Sequence, residues 1–452
     1  MPATATSPVG QAAVGGIELQ QWAKIIADPI YFADTLYERF KSGSKSYPTA
    51  NVQTGPDISG NGVSIPTFQV PMRIQSGAGI TQGTGDGDSM GDGSGSTWIH
   101  GNLSPVVYYA GCTITWLAQQ ATAGKNRGMV AVRAAELKNS FDVFMRSLEA
   151  LYQGDSSGML DQIPTTATIN SGTGGGVAGS ATYSSIVGLN NANQFTDQQL
   201  VYDYSAEGGT LRGSFRISFQ DGVTNTIWST GLLPAGIATG DYLMVAGSSG
   251  ALGNSLAGIR TYQVTGNTGN VLGIPRASYP SRLSTPTINL NGNAVNPAIP
   301  YRAQILIKRA LGPDYEGLND AVWYAGPGQV LQMTNLFQNV VIANMQDVRG
   351  DKSLDMVKKE MVGTFGGLDV LEGYNAVPGR IDLLTFPTWG ITELKEPSLY
   401  EFGNGVTSMP LPDPNGHGYL SASIFYYITG QNLFQSNMRS GCYVTNAAEP
   451  SI

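Results

Sequence analysis

The chain has 452 residues, 59 of them Gly and 24 Pro, and a net charge of −8. Charged side chains make up 13% of it, against roughly 25% in ordinary soluble domains. A hydrophobic share of 41% supports a packed core and excludes intrinsic disorder, while the acidic balance excludes a protein built to grip nucleic acid by its phosphates.

This length implies two or three compact units, or one core with large insertions. Cys112 and Cys442 are too few for a disulfide framework or a structural zinc site; two buried free thiols are expected, and a single bridge stays open. The start, Met1 to Pro8, lacks the basic and apolar regions of a secretory signal, and no apolar run reaches the roughly 18 residues of a membrane helix. A reducing cytoplasm is the expected place of synthesis. A surface so poor in charge is expected to be largely covered in the working state.

Residues 1–15 are small and Pro/Gly-containing and read as an arm. Gly16 to Ser42 has helical spacing in two pieces split at Pro29, with Ile17, Leu19, Trp22 and Ile25, then Tyr31, Leu36, Tyr37 and Phe40. From Val63 the period changes to two: Phe68, Val70, Met72 and Ile74 alternate with Gln69, Pro71 and Arg73. This predicts a strand, and Pro66 and Pro71 suggest an edge. Ser76 to Thr97 is a Gly-dominated tip containing Gly77, and Trp98 to Leu117 returns as a second extended segment. A lone two-stranded ribbon is marginally stable, so its apolar face is expected to find a partner on another chain.

Between Gly128 and Gln153, the apolar residues Val130, Ala134, Leu137, Phe141, Phe144, Leu148 and Leu151 alternate spacings of four and three. The pattern predicts a helical spine of 26 residues, about 39 Å long, ended by Gly154 as a C-cap. Beyond it, Asn170 to Asn193 reads as a polar loop; Leu211 to Phe219 (Phe215, Ile217 and Phe219 on one face) and Asp241 to Ala246 read as strands. Helical spacing returns at Ala303–Leu311 and Val330–Met345, through Met333, Leu336, Phe337, Val340 and Asn344. The last hundred or so residues mix strands and turns and include the aromatic strand Ile424–Ile428. No repeat of about 20–50 residues is present, which argues against a solenoid or propeller.

Catalytic patterns fail on context. Gly154–Gly158 fits G-x-S-x-G, but a nucleophile elbow needs a strand before Ser156 and a helix after it, and here the order is reversed. The only histidines, His100 and His417, stand alone. Gly174–Gly179 matches G-x-G-x-x-G without the strand and helix that would hold a pyrophosphate, and Gly124-Lys125-Asn126 lacks the rest of a P-loop. Asp86, Asp88 and Asp92 in the glycine tip miss the EF-hand ligands, since Met90 and Thr97 occupy the positions needed. A solvated tip is expected, with cation binding there left open. No catalytic residue, cofactor or metal is expected, and the chain does not read as an enzyme.

The order of parts resembles the major capsid proteins of tailed bacteriophages, the Hong Kong 97-like α+β fold. The spine exit Ser147–Leu160 is similar to that family's helix-to-GDGSG-hydrophobic junction. Gly240–Gly247, Ser255–Ile259, Gly273–Pro280, Thr364–Val370, Pro378–Ile381 and Trp389 resemble runs in one branch of it, so the likeness covers about residues 15–445. It implies an arm (1–50), an extended β-ribbon loop (51–117), a peripheral domain with the spine (118–189) completed by 335–452, and an axial domain (190–334) with a β-rich insertion from Phe195 to Ala246.

On this resemblance the assembly residues are Phe68, Val70, Met72, Arg73, Gly77, Asp86, Asp88, Asp92 and Trp98 of the ribbon, with Val130, Leu137, Phe141, Phe144, Leu148 and Leu151 of the spine. The implied partners are the chain itself in pentamers and hexamers, a separate scaffolding protein and a portal, with a decoration protein left open. Double-stranded DNA would be enclosed without tight binding, in a virion assembled in the host cytoplasm. Two departures matter. Residues 46–124 contain no Lys, so an isopeptide weld through the ribbon is not expected and the shell would be non-covalent. No long leading scaffold segment is present in the sequence, which implies a separate scaffold. The rival readings are a β-rich surface adhesin, an outer-membrane barrel, which the spine does not fit, and a hydrolase using Ser156.

Overall fold

The computed structural model describes residues 36–44, 52–57, 64–75, 77, 95–115, 132–172, 183–248, 252–253, 255–315, 317–318, 320–344, 364–401, 406–413 and 419–448. In chain order, α1 (Leu36–Ser44) precedes β1 (Val52–Asp57), β2 (Ser64–Gln75), β3 (Thr97–Leu103) and β4 (Val106–Thr115). The long helix α2 (Val132–Tyr152) leads into β5 (Met159–Gln162), β6 (Thr168–Asn170), β7 (Ser185–Val187), β8 (Leu200–Tyr204), β9 (Leu211–Asp221), β10 (Thr226–Ser229) and β11 (Tyr242–Val245). Then come the single turn α3 (Ile259–Tyr262), β12 (Asn270–Val271), β13 (Ile274–Pro275), β14 (Thr287–Asn289), α4 (Ile299–Leu311), β15 (Ala321–Ala325) and α5 (Pro327–Asn344). The remaining strands are β16 (Thr364–Phe365), β17 (Leu368–Glu372), β18 (Ile381–Thr385), β19 (Trp389–Leu399), β20 (Met409–Pro412), β21 (Tyr419–Gln435) and β22 (Cys442–Thr445).

The described residues form two compact units. One takes the described parts of 106–148 and 393–431; the other takes those of 35–105, 149–392 and 432–452. The helix α2 and the strands β19 and β21 contribute residues to both.

The first unit is a helix over a sheet. β4 pairs antiparallel with β21 from Val106↔Gln431 to Thr115↔Ala422, and β20 pairs with the start of β21. Tyr108, Ala110, Cys112 and Ile114 alternate toward the helix and meet Phe425, Tyr427, Leu137 and Phe141 there. The expected return strand of the ribbon is therefore two strands. The chain pairs with β2 only as far as Leu103 and, after Pro105, leaves as β4 for β21.

The second unit holds four sheets, the smallest being the two-stranded β12/β13 pair. The ribbon is three-stranded, in the order β1-β2-β3, where two strands were expected. Pro71 lies past the end of β1, which reaches only Phe68, so among the described residues β2 has a single neighbour there and the missing N–H costs no ladder bond on that side. A seven-stranded antiparallel sheet runs β5-β11-β8-β9-β10-β7-β6. It begins at Met159, directly after the spine, rather than at Phe195, and the ends of the expected polar loop form its β6/β7 edge. Phe215 and Ile217 face inward as their alternation predicts, but Phe219 is 44% exposed and packs its ring on Trp228 at 5.5 Å. The register shifts there, with consecutive Trp228 and Ser229 opposite Phe219 and Ile217, so Ser218 is an extra residue in β9 and breaks its alternation.

The six-stranded sheet, β14-β22-β18-β15-β17-β16, carries the main core. Its central strand β15 is buried along its whole length, as its sequence Ala-Val-Trp-Tyr-Ala allows. Ile299, Ala303 and Ile307 of α4, spaced by four, have no exposed surface and pack with Trp323, Ile381, Leu383 and Val444. Each of the two isoleucines contributes about 1.5–3 kcal/mol of transfer free energy. Trp323 donates its Nε1–H to the Phe365 carbonyl at 3.0 Å, so the indole is buried without an orphan donor.

The helix α1 corrects one expectation. Within residues 1–50, read as an arm, Leu36, Tyr37 and Phe40 are buried in their own unit, and Phe40 lies 5.3–5.9 Å from the rings of Trp389, Phe386 and Tyr152. Residues 1–35 lie outside the described ones. Cys112 and Cys442 are both free and buried, which resolves the two-thiol alternative, and burial pushes the Cys442 thiol up to about 12.

Candidate assembly surfaces

The ribbon is the first candidate. Its inward residues Phe68, Val70 and Met72 are 2–5% exposed and Leu103 is buried with them, so this apolar face is covered within the chain and not left for another one. Two links tie the ribbon down: near its base the Asn102 N–H donates to the Leu272 carbonyl at 2.8 Å, and toward its tip Arg73 pairs with Asp314 at 2.6 Å. Gly101 is where Leu272 crowds closest; a Cβ there would stand 2.5 Å from the Leu272 Cβ, nearer than side-chain carbons approach. What the ribbon exposes is its outer face. Trp98, paired across from Arg73, is 53% exposed and donates its indole N–H to Ser96 Oγ, and Gly77 is exposed. Asp86, Asp88 and Asp92 lie outside the described residues.

The spine is the second candidate. The described helix has 21 residues, about 31 Å, because it begins at Val132; Val130 lies outside the described residues. In the first unit Leu137 and Phe141 are half-buried and Phe144 and Leu148 buried. Phe141 and Phe144 bracket the Tyr427 ring at 5.4 and 6.2 Å, and the Tyr427 hydroxyl donates to the Leu137 carbonyl at 2.7 Å. In the second unit Leu151 is 2% exposed. The seam is thus an internal packing surface of the chain.

The spine exit is a polar knot in the second unit. Gly154 does not take the left-handed conformation expected of a C-cap; Ser156 (φ 73°) and Gly158 (φ 82°) do. Ser157 donates from its N–H and its hydroxyl to Asp155 Oδ1, and its own Oγ accepts the Met159 N–H. Ser156 Oγ accepts the Gly253 N–H at 3.0 Å, so this hydroxyl closes a turn between a helix and a strand. Gly258 packs against the helix end so closely that a Cβ would lie 2.5–2.6 Å from the backbone of Gly154 and Tyr152.

Beside the turn, Asp161 accepts the backbone N–H groups of Gln162, Asn190 and Asn191 and the Asn190 side-chain amide, at 2.8–3.1 Å. Burial still pushes its carboxyl up, against those bonds. A polar cavity of about 250 Å³ opens here, lined among others by Gln153, Asp161, Asn190 and Arg260, whose Nε–H donates to the Gln153 carbonyl. Among the described residues no three His, Cys, Asp or Glu side chains gather as a metal site would require. Sequence reasoning missed this knot, since its partners are some 30 residues apart and carry no periodic signal.

A third surface was also missed. The outward side of α4 exposes Tyr301 (68%) and Ile305 (49%) among the exposed cations Arg302, Lys308 and Arg309. Read for its buried stripe alone, the helix shows only its inner half.

No protein-family model and no curated protein matches the chain. The capsid asymmetric unit of cyanophage A-1(L) is similar in structure, with a TM-score of 0.50 at 8% identity, covering 94% of this chain and 96% of that one. Also similar are Gordonia phage Cozz (TM-score 0.39, 10% identity, 89% of each chain) and the capsid of a native GTA particle (0.39, 11%, 84% and 85%). The likeness to the cyanophage subunit runs through both units and nearly the full length of both chains: this chain has the Hong Kong 97-like α+β fold of tailed-phage capsid subunits.

Proposed function

We propose that the chain is the major capsid protein of a tailed phage, a structural subunit that closes into pentamers and hexamers of an icosahedral shell around double-stranded DNA. The observation that carries this reading is the end-to-end structural likeness to a capsid subunit, 94% of one chain on 96% of the other. Heterologous contacts repeated around an axis close into rings, and few charges on the surface suit faces that spend their working life against a neighbour. Residues 1–35, the exposed face and tip of the ribbon, and the edges of both units would supply those contacts. The peripheral role falls to the spine with the β4/β21 sheet, and the axial role to residues 190–334. Without a Lys in residues 46–124 the ribbon would hold by non-covalent contact. A scaffolding protein and a portal complete the expected partners, with a decoration protein left open, in a virion assembled in the host cytoplasm.

The test is assembly. Purified protein, alone or co-expressed with the scaffolding protein of its own genome, should give closed particles tens of nanometres across by negative-stain microscopy and a fast-sedimenting species. A subunit that stays monomeric under every such condition would overturn the reading.

A further inference from the structure

The α4 face singles out its own partner by charge. Residues 242–313 contain six basic side chains and no acidic one, in a chain whose net charge is −8. Three of the six, Arg302, Lys308 and Arg309, stand exposed on α4 around Tyr301 and Ile305, and none of the three takes part in an ion pair among the described residues. The next acid along the chain, Asp314, is already held by Arg73 at 2.6 Å, so it does not neutralise the face. A helix with a cationic rim and two large apolar side chains at its centre has the composition of a docking surface for an acidic segment that carries apolar residues; a phosphate backbone would leave Ile305 uncovered.

The chain contains one segment of matching kind. Residues 74–124 have three acids, Asp86, Asp88 and Asp92, and no Lys or Arg, with Ile80 and Met90 close by in the same stretch. We propose that the Tyr301/Arg302/Ile305/Lys308/Arg309 face of α4 receives the acidic ribbon tip, residues 76–96, of a second copy of the chain. This rests on the shell-forming reading and names the surface on which the tip lands. It also explains why the face is cationic in an acidic protein. Copies of a chain at −8 repel one another, and concentrating opposite charges on two separated patches turns that repulsion into a preference for one head-to-tail register.

The experiment uses the full-length chain with two triple variants. The face variant is Arg302→Glu/Lys308→Glu/Arg309→Glu; the tip variant is Asp86→Lys/Asp88→Lys/Asp92→Lys. Wild-type assembly is the reference, and its failure would overturn the shell reading itself, separately from this inference. Where wild type assembles, each variant alone should lose closed particles by about tenfold or more, because like charges then meet across the contact. An equal mixture of the two should recover part of the yield, since a tip finds an opposite face wherever the two chains alternate, as they can around six positions but not fully around five. Unchanged thermal melting checks that the variants fold, and the neutral Arg302→Gln/Lys308→Gln/Arg309→Gln form, with a smaller loss of yield, replaces the reversal if it unfolds. The proposal is overturned if the face variant assembles like wild type, or if the tip variant does so while the face variant fails, which would assign the face to another acidic partner. It is equally overturned if only a single chain carrying both sets recovers while the mixture does not, which would place the tip on its own α4.

Discussion

Replacing Phe40 by Ala tests whether α1 belongs to the body of the subunit or to a neighbour. The side chain has no exposed surface and meets three rings of its own unit, Trp389 at 5.3 Å, Phe386 at 5.6 Å and Tyr152 at 5.9 Å. Truncating a buried Phe to Ala costs about 3–5 kcal/mol, and the lost aromatic pairs fall within the upper half of that range. Phe40→Leu keeps most of the volume and should cost about 1.5 kcal/mol or less. Pulse proteolysis in graded urea reads the difference on the unassembled subunit. At a slope of about 3 kcal/mol per M the midpoint for Phe40→Ala should fall by about 1 to 1.7 M, and that for Phe40→Leu by about 0.5 M or less. The reasoning is refuted if Phe40→Ala leaves the midpoint unchanged while abolishing particle formation, for then the burial of Phe40 is supplied by another chain.

Two further outcomes follow from the packing and the charges. Tyr427→Phe removes one hydrogen bond to the Leu137 carbonyl but keeps the ring between Phe141 and Phe144, so it should cost about 0.5–1.5 kcal/mol, against about 3–5 for Tyr427→Ala; equal costs would show that the ring is not the anchor. Asp203 is buried, both carboxylate oxygens lack a hydrogen-bond partner among the described residues, and burial with the nearby Asp241 charge raises it from 3.8 to about 7, partly offset by Arg212. The folded subunit therefore holds this proton more tightly than the unfolded chain. Its contribution is complete below pH 3.8 and is lost as pH rises through about 7. Asp203→Asn should thus gain stability relative to wild type between pH 5 and pH 8 in the same urea assay, and a difference that stays flat with pH would rule this out.

Much of the fold was legible because its signals are local. The Leu137, Phe141, Phe144, Leu148 and Leu151 seam repeats at the period of a helix, and Phe68, Val70 and Met72 repeat at that of a strand, whatever they pack against. The partner is what local periodicity leaves out. Leu36, Tyr37 and Phe40 look alike as an arm seeking a neighbour and as a helix folded onto Trp389, and only the tertiary structure tells the two apart. The strand β1, Val-Gln-Thr-Gly-Pro-Asp, has little strand propensity and forms because β2 offers it an edge. The switch of β4 away from the ribbon depends on a pairing some 300 residues distant. The α4 face went unseen for a different reason: a search for buried stripes reads past the exposed half of an amphipathic helix.

The pairing of β4 with β21 sets a clock. Val106 finds Gln431 and Thr115 finds Ala422, so the first unit's sheet cannot close until about 300 further residues have left the ribosome. At about 5–20 residues per second that is roughly 15–60 s of waiting for β4. The six-stranded sheet waits too, since β14 and β18 both pair with β22. The ribbon, by contrast, can form as soon as residue 103 is made, because β1, β2 and β3 are contiguous in the chain. A nascent chain can therefore pair its ribbon strands long before Leu272 and Asp314 are made to tie them down. Polysomes carrying many copies would crowd such ribbons together while no completed α4 face is at hand to receive them. On the shell-forming reading, the late closure of both sheets would hold back docking until the whole chain is made.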